Sequence, residues 1–122
     1  MAKNLYRDLL VWQKSVSLIK EVYAEADKLP RSEEYNLKQQ LKRAVVSVSL
    51  NIAEGKNRRT AKDFMNFLNI SRGSLAETEA ILLICSDLGL LHIPEDLLSH
   101  IEELAKMINS LIASIRTKNE HC

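Results

Sequence analysis

Residues 37–55 read LKQQLKRAVVSVSLNIAEG, and apolar side chains recur in this stretch every three or four positions. The recurring positions are Leu37, Leu41, Ala44, Val48 and Ile52. This spacing follows the 3.6-residue turn of an α-helix and places these side chains on one face. It predicts an amphipathic helix over residues 33–55. We expect Gly55 to end that helix in the left-handed conformation, which glycine adopts without a steric penalty.

The rest of the 122-residue chain repeats this pattern in three further stretches. They predict helices over residues 8–28, 61–88 and 94–117. Pro30 and Gly89 interrupt the pattern, because proline disfavours helix in the residue before it and glycine readily ends a helix. Short connections make neighbouring helices antiparallel. The sequence therefore predicts an all-α fold, an antiparallel up-down-up-down four-helix bundle that forms a single domain over residues 1–122.

Apolar residues are more numerous than one bundle core needs. The inward face of the first helix is predicted to be Leu9, Trp12, Val16, Ile19, Tyr23 and Ala26. The surplus apolar residues of the third and fourth helices are Ile70, Ile81, Ile84, Leu98, Ala105 and Ile112. This surplus predicts a subunit interface, and a wide core-facing stripe is the alternative. Gly73 costs a helix about 1 kcal/mol relative to alanine, so we expect another backbone to approach it.

Residues that could support catalysis or metal binding do not form a recognisable motif. The three histidines are His92, His100 and His121, and no Glu-x-x-His spacing accompanies them. The sequence therefore predicts no cofactor, no metal site and no enzymatic activity. Cys85 is expected to be a reduced core residue, unpaired with Cys122 in the polar tail. The absence of a membrane-span or signal-peptide pattern predicts a cytoplasmic protein without a membrane partner.

Polar side chains also follow helical spacing beside the apolar seam. They are Gln40, Arg43, Ser47, Asn51 and Glu54 in the second helix, with Arg72, Glu77 and Thr78 in the third. We expect them to form a hydrogen-bonded network that fixes helix register or a subunit contact.

Basic residues concentrate around the connection between the second and third helices. Residues 38–72 contain eight basic and two acidic residues, although the whole chain has a formal net charge of only +1. The candidate nucleic-acid-binding residues are Lys42, Arg43, Lys56, Arg58, Arg59 and Lys62. Such a cluster can neutralise phosphates, and a solvated helix end is the equally weighted alternative. Thr60 is positioned as the N-cap of the third helix, with Asp63 in its first turn.

Several short motifs run through almost the whole chain. They include Asp8-Leu9-Leu10-Val11-Trp12-Gln13-Lys14, Leu29-Pro30, Glu34-Tyr35, Arg43-Ala44-x-x-Ser47, Asn51-Ile52-Ala53-Glu54-Gly55 and Gly73-Ser74-Leu75-x-Glu77. Over about residues 5 to 115 the sequence resembles the bacterial four-helix-bundle family of 23S rRNA intervening sequences, also labelled "S23 ribosomal protein".

The resemblance implies a protomer that assembles with itself as a ring-like homopentamer and has no established enzyme activity. A related group, the accessory variability determinant of diversity-generating retroelements, is similar in fold and binds nucleic acid and a reverse transcriptase through basic surface. Two functions follow as hypotheses. One is a non-catalytic homo-oligomer that binds RNA, DNA or an RNA–DNA intermediate through the basic helix end. The other is an oligomeric scaffold for a protein partner, such as a reverse transcriptase, that binds no nucleic acid.

Overall fold

The computed structural model describes residues 5–120, with only the backbone described for Glu120. Its four α-helices are α1 (Leu10–Ala26), α2 (Leu37–Lys56), α3 (Ala61–Asp87) and α4 (Glu95–Glu120). Short 3-10 turns lie at Tyr6–Asp8 and Arg31–Glu33. The predictions made for His121, for Cys122 and for an N-terminal signal fall wholly or partly outside the described residues.

The helices form a ring in which each one packs against two others. α2 lies between α1 and α3, and α4 contacts α3 and closes the ring against α1. Ser47 of α2 bonds to Ser74 of α3, whereas Gly55, later in α2, meets Phe67, earlier in α3. The same reversed order holds between α1 and α2 and between α1 and α4. These neighbours are antiparallel, and the predicted all-α four-helix bundle is confirmed.

The second helix starts later than the sequence predicted. Residues 31–36 form a 3-10 turn and a further turn, in which the Glu33 amide donates to Pro30 O and the Asn36 amide to Glu33 O. α2 then begins at Leu37, where the prediction placed residue 33. The polar residues after Pro30 satisfy one another locally instead of joining the helix. α1 is likewise shorter, Leu10–Ala26 against the predicted 8–28.

The inward face of α1 is shifted by one residue from the predicted stripe. The residues that it buries are Val11, Ser15, Leu18, Val22, Glu25 and Ala26. Trp12, Ile19 and Tyr23 are only partly buried at the edge of the core. Two apolar stripes one residue apart run along this helix, and periodicity alone does not choose between them. The stripe with the larger amphipathic rings lies at the edge, where such side chains keep a polar atom near water.

Part of the predicted apolar surplus belongs to the core. Ile81 and Ile112 are buried, with exposed fractions of 5% and 4%. The wide core-facing stripe is therefore the correct interpretation for these two residues. Ile70 and Ile84 remain about half exposed, at 51% and 47%. Cys85 is a free thiol in the core, as predicted, and burial raises its pKa.

The structure gives Gly55 a different role from the predicted one and, among the described residues, shows no close neighbour for Gly73. Gly55 does not end α2, because it is helical and buried, and a Cβ placed on it would lie 2.7 Å from Phe67 Cβ. It is Gly55 that permits close approach of α2 and α3. Apart from the neighbouring turns of α3 itself, no atom of the described residues lies within 4 Å of a Cβ built on Gly73, so no other described segment approaches it. Gly89 follows α3 with a φ of +74° and confirms the predicted stop.

Candidate nucleic-acid interface

The connection between α2 and α3 is a tight turn fixed at both ends. After α2, the Asn57 amide donates to Ala53 O and the Arg58 amide donates to Gly55 O. At the start of α3, Thr60 Oγ1 accepts a 3.1 Å hydrogen bond from the Asp63 amide, which confirms the predicted N-cap. The basic side chains of this segment therefore project from a well-defined backbone.

Four of the predicted basic residues lie together on this segment, and we call Lys56, Arg58, Arg59 and Lys62 the basic turn. Arg58 is held in place: its guanidinium lies 4.8 Å from the centre of the Phe67 ring, and Nη2 is 3.3 Å from Glu54 Oε2. Lys56 Nζ lies 5.8 Å from the centre of the Phe64 ring. Among the described side chains, no carboxylate lies within 4.0 Å of the other three cations.

The two remaining predicted residues lie elsewhere on α2. Lys42 precedes Lys56 by fourteen positions, or about 20 Å along a helix that rises 1.5 Å per residue. Lys42 Nζ is 2.8 Å from Asp27 Oδ1 and 4.6 Å from the centre of the Tyr23 ring. The hydrogen bond to Asp27 raises the pKa of Lys42, and the same bond lowers the pKa of Asp27. Arg43 is its exposed neighbour. The structure separates this pair from the basic turn.

A cavity of about 320 Å³ lies between the basic turn and the last turns of α4, and we call it the end pocket. Its apolar lining comes from Ala61, Phe64 and Ile115, and its basic lining from Lys56, Arg58, Arg59 and Lys118, with Thr60 and Asn119 completing the wall. Sequence reasoning missed Lys118 and Ile115. The predicted topology contained the signal for both, because an up-down-up-down bundle places the end of α4 beside the turn between α2 and α3.

The polar residues of the α2–α3 seam make structural hydrogen bonds. Ser47 and Ser74 lie 2.9 Å apart, and the buried Ser71 hydroxyl donates to Val48 O over 2.8 Å. Asn51 donates to Ser47, and Thr78 donates to Ser74 O. The predicted network is thus present in part.

The remaining members of the predicted network make no hydrogen bond across the α2–α3 seam among the described side chains. Arg72 donates to Asn109 of α4 and to Asn69, and Gln40 donates to Asn36. Arg43 and Glu77 make no ion pair within residues 5–119.

Histidine and acidic residues form a small cluster on the opposite side of the bundle. His100 Nδ1 lies 2.8 Å from Glu21 Oε1, and Lys14 Nζ lies 3.5 Å from Glu103 Oε1. Within the described part of the chain, no group of three or more His, Cys, Asp or Glu side chains is arranged to hold a metal ion. Nor is any helix there long and apolar enough to cross a bilayer.

One exposed stripe along α3 is largely apolar, and we call it the outer face of α3. Its members recur at helical spacing and are Ile70, Gly73, Ala80 and Ile84 of the helix, with Leu88 as the residue that follows it. Three of them are large side chains with exposed fractions between 47% and 61%. Glu77 is the exposed charged residue in the middle of this stripe. A soluble bundle normally presents polar residues at such positions.

Comparison with known proteins gives one family and one fold. The family model described as 23S rRNA-intervening sequence protein matches residues 7–110. No curated protein matches the chain. A crystal structure of a protein with unknown function from the S23 ribosomal protein family of Bacteroides thetaiotaomicron VPI-5482 superimposes with a TM-score of 0.78 at 24% sequence identity. The match covers 85% of this chain and 96% of that one, and it shows a shared fold.

Proposed function

Since this chain belongs to the family of 23S rRNA-intervening sequence proteins, we propose that it is a non-catalytic homo-oligomer that binds nucleic acid through the basic turn. The observation that supports nucleic-acid binding most directly is the composition of that turn. It has four cations within seven residues. Among the described side chains, Arg58 is the only one of the four with a carboxylate within 4.0 Å. Unpaired cations on a rigid turn neutralise phosphates and release the counterions condensed on nucleic acid.

A salt titration tests this role. Binding of a fluorescent RNA, followed by anisotropy, is expected to weaken steeply as salt rises. The double variant Arg59→Ala with Lys62→Ala removes two phosphate contacts and should make the log–log salt slope shallower by about 1.4 to 1.8. Arg58 is left intact in this variant because it packs on Phe67 and pairs with Glu54.

The matched control removes the same charge from another part of the surface. Lys20 of α1 and Arg31 of the second 3-10 turn are exposed and lie away from the basic turn, in the half of the chain before α2. The variant Lys20→Ala with Arg31→Ala should bind RNA with the parental salt slope. Equal losses in both double variants would mean that net charge alone governs binding and would contradict a role specific to the basic turn.

Self-association is supported by the outer face of α3. Its half-exposed isoleucines and leucine resemble an interface more than a solvated surface, because exposed apolar patches commonly mark contact sites. Gly73 sits within this stripe with open space around it, so a second helix is able to approach closely there. A symmetric oligomer would repeat the basic turn, and several linked copies bind a polyanion far more tightly than one.

The substitution Gly73→Leu tests this interface, because Gly73 is exposed and a Cβ built there has no atom within 4 Å outside the neighbouring turns of α3 among the described residues. Light scattering of the parent is expected to show a mass of several protomers, five if the family pattern holds. Gly73→Leu should reduce that mass, whereas Ala24→Leu at an exposed position of α1 should not. A parent that is monomeric at micromolar concentration contradicts the oligomer.

The proposal assigns no catalytic role to the polar residues of the bundle. The hydroxyls of Ser47, Ser71 and Ser74 bond between α2 and α3, and His100 is engaged by Glu21. The alternative is an oligomeric scaffold that binds no nucleic acid and binds a protein partner, such as a reverse transcriptase, through a groove or an outer face of the assembly. It predicts no salt-dependent RNA binding by the parent and a partner recovered from nuclease-treated lysate.

A further inference from the structure

We propose that the end pocket binds a single nucleotide unit, with its base against the apolar wall and its phosphate against the basic rim. This inference deepens the proposed function and rests on it only where the nucleotide belongs to a nucleic-acid strand. The same chemistry also describes a free nucleotide. No single element of the chain forms this site, because α3 supplies one wall, α4 another and the basic turn the rim.

The apolar wall suits a planar ring. Phe64 and Ile115 are both partly buried and pack against the core, so their positions are fixed, and Ala61 adds only a methyl group beside them. The small alanine side chain leaves the space open. A volume of about 320 Å³ lies at the lower end of the range for small-ligand sites. Bases stack on aromatic side chains and guanidinium planes irrespective of their identity, which favours a base over an aliphatic chain.

The rim suits a phosphate. Lys56, Arg59 and Lys118 bring three cations to the pocket, and no carboxylate of the described side chains lies within 4.0 Å of them. Arg58 is the fourth, and its contacts with Phe67 and Glu54 hold it in place. Cations that converge on one opening form short, charge-assisted bonds to phosphate oxygens. An apolar wall beside a cationic rim matches the division of a nucleotide into ring and phosphate.

One consequence separates this site from general phosphate binding. A base enters the end pocket only after it leaves its stack, which costs a duplex its pairing and stacking, whereas a single strand offers its bases freely. Strands with unpaired bases should therefore bind more tightly than duplexes of the same length, although both contact the basic turn.

The test uses a variant that fills the pocket without a change in charge. Ala61→Phe places a ring where the base would lie, and Ala113→Phe is its matched control at an exposed position of α4 outside the pocket. The probes are adenosine 5′-monophosphate and inorganic phosphate by calorimetry and, by anisotropy, a single-stranded RNA and a duplex of the same length. Circular dichroism and light scattering establish that both variants keep the parental fold and assembly.

The expected result is that Ala61→Phe weakens nucleotide or single-strand binding at least about tenfold, within the range for loss of one base stack. Duplex binding and the Ala113→Phe control should remain parental. Binding of the free nucleotide identifies a soluble ligand, and a single-strand preference without it identifies a strand-borne one. Either result supports the site.

Three results would overturn the end pocket as a nucleotide site. They are unchanged binding by Ala61→Phe, binding of inorganic phosphate as tight as that of the nucleotide, and equal affinity for single strand and duplex with no nucleotide binding. In the last case, salt-dependent duplex binding would leave the proposed function standing. If the parent binds no RNA at all, the proposed function is wrong. The titration with free nucleotide would still test the end pocket in that case.

Discussion

The α2–α3 seam and the α1–α4 seam are held together by different physical effects. At the first, Gly55 lets α3 come so close that Phe67 leaves no room for a Cβ, and the Ser71 hydroxyl bonds to the α2 backbone. At the second, an exposed lysine–glutamate ion pair and an exposed histidine–glutamate hydrogen bond cross the surface, and a cavity of about 90 Å³ remains between the helices. A closely packed seam tolerates little change in side-chain shape. Solvent-exposed charge pairs, in contrast, contribute little to the free energy of unfolding. Substitutions should therefore have unequal effects at the two seams.

The largest effect is expected from Gly55→Ala. The added methyl would lie 2.7 Å from Phe67 Cβ, an atom that moves only with the backbone of α3. Overpacking of this kind costs about 1–3 kcal/mol, which outweighs the gain in helix propensity. Urea denaturation should show a lower free energy of unfolding. The matched variant Gly73→Ala, with open space around it in the protomer, should instead raise that free energy by up to about 1 kcal/mol when both variants are measured as dissociated protomers. The same sign in both variants would refute the contrast between the two glycines.

A smaller loss is expected from Ser71→Ala in the same seam. It removes a buried 2.8 Å hydrogen bond to Val48 O, and a typical bond of this kind contributes about 0.5–1.5 kcal/mol. Ser110 is an exposed serine on α4 and provides the control, because Ser110→Ala should change the free energy of unfolding by less than about 0.5 kcal/mol. Equal effects in the two variants would show that the seam does not depend on this hydroxyl.

The α1–α4 seam should respond more weakly. A double-mutant cycle with His100→Ala and Glu21→Ala measures the coupling free energy of the 2.8 Å contact between these side chains. The His100 and Glu21 side chains are 51% and 34% exposed, so we expect a coupling of about 0.2–1 kcal/mol, the range of solvent-exposed pairs. A coupling above about 2 kcal/mol would show that the contacts of the α1–α4 seam stabilise the fold as strongly as those of the α2–α3 seam.

The smallest effect on the free energy of unfolding is expected from the surface ion pair of Asp27 and Lys42. Its contribution is measured from the pH dependence of that free energy. The hydrogen bond from Lys42 lowers the pKa of Asp27 in the folded protein. The resulting stability is complete above about pH 4, the range of an unperturbed aspartate, and is lost as the pH falls through the lowered folded pKa. Asp27→Asn should thus be slightly less stable than the parent at pH 7, and the difference should shrink as the pH falls below about 4. A difference that persists in acid would assign the loss to something other than this ion pair.

The candidate site was predictable in part. The basic turn is a local cluster of sequence neighbours, so its residues remain together in any fold that keeps α2 and α3. Lys42 is an equally good candidate in the sequence, because it is also a basic residue of α2. A helix rises 1.5 Å per residue, however, and the fourteen positions between Lys42 and Lys56 place Lys42 far from the basic turn. Lys118 is distant in sequence and lies at the end pocket because α4 returns to the same end of the bundle.

The sequence by itself determined the number of helices, their approximate positions and their antiparallel order. Hydrophobic periodicity and helix-breaking residues are local features of the sequence. Short connections force each helix to run antiparallel to the one before it. Tertiary structure alone decided which of two overlapping stripes of α1 faces inward, which surplus isoleucines are buried, and that Gly55 rather than Gly73 is the close contact. Each of these depends on what another helix presents across the seam, and a pattern within one helix does not contain that information.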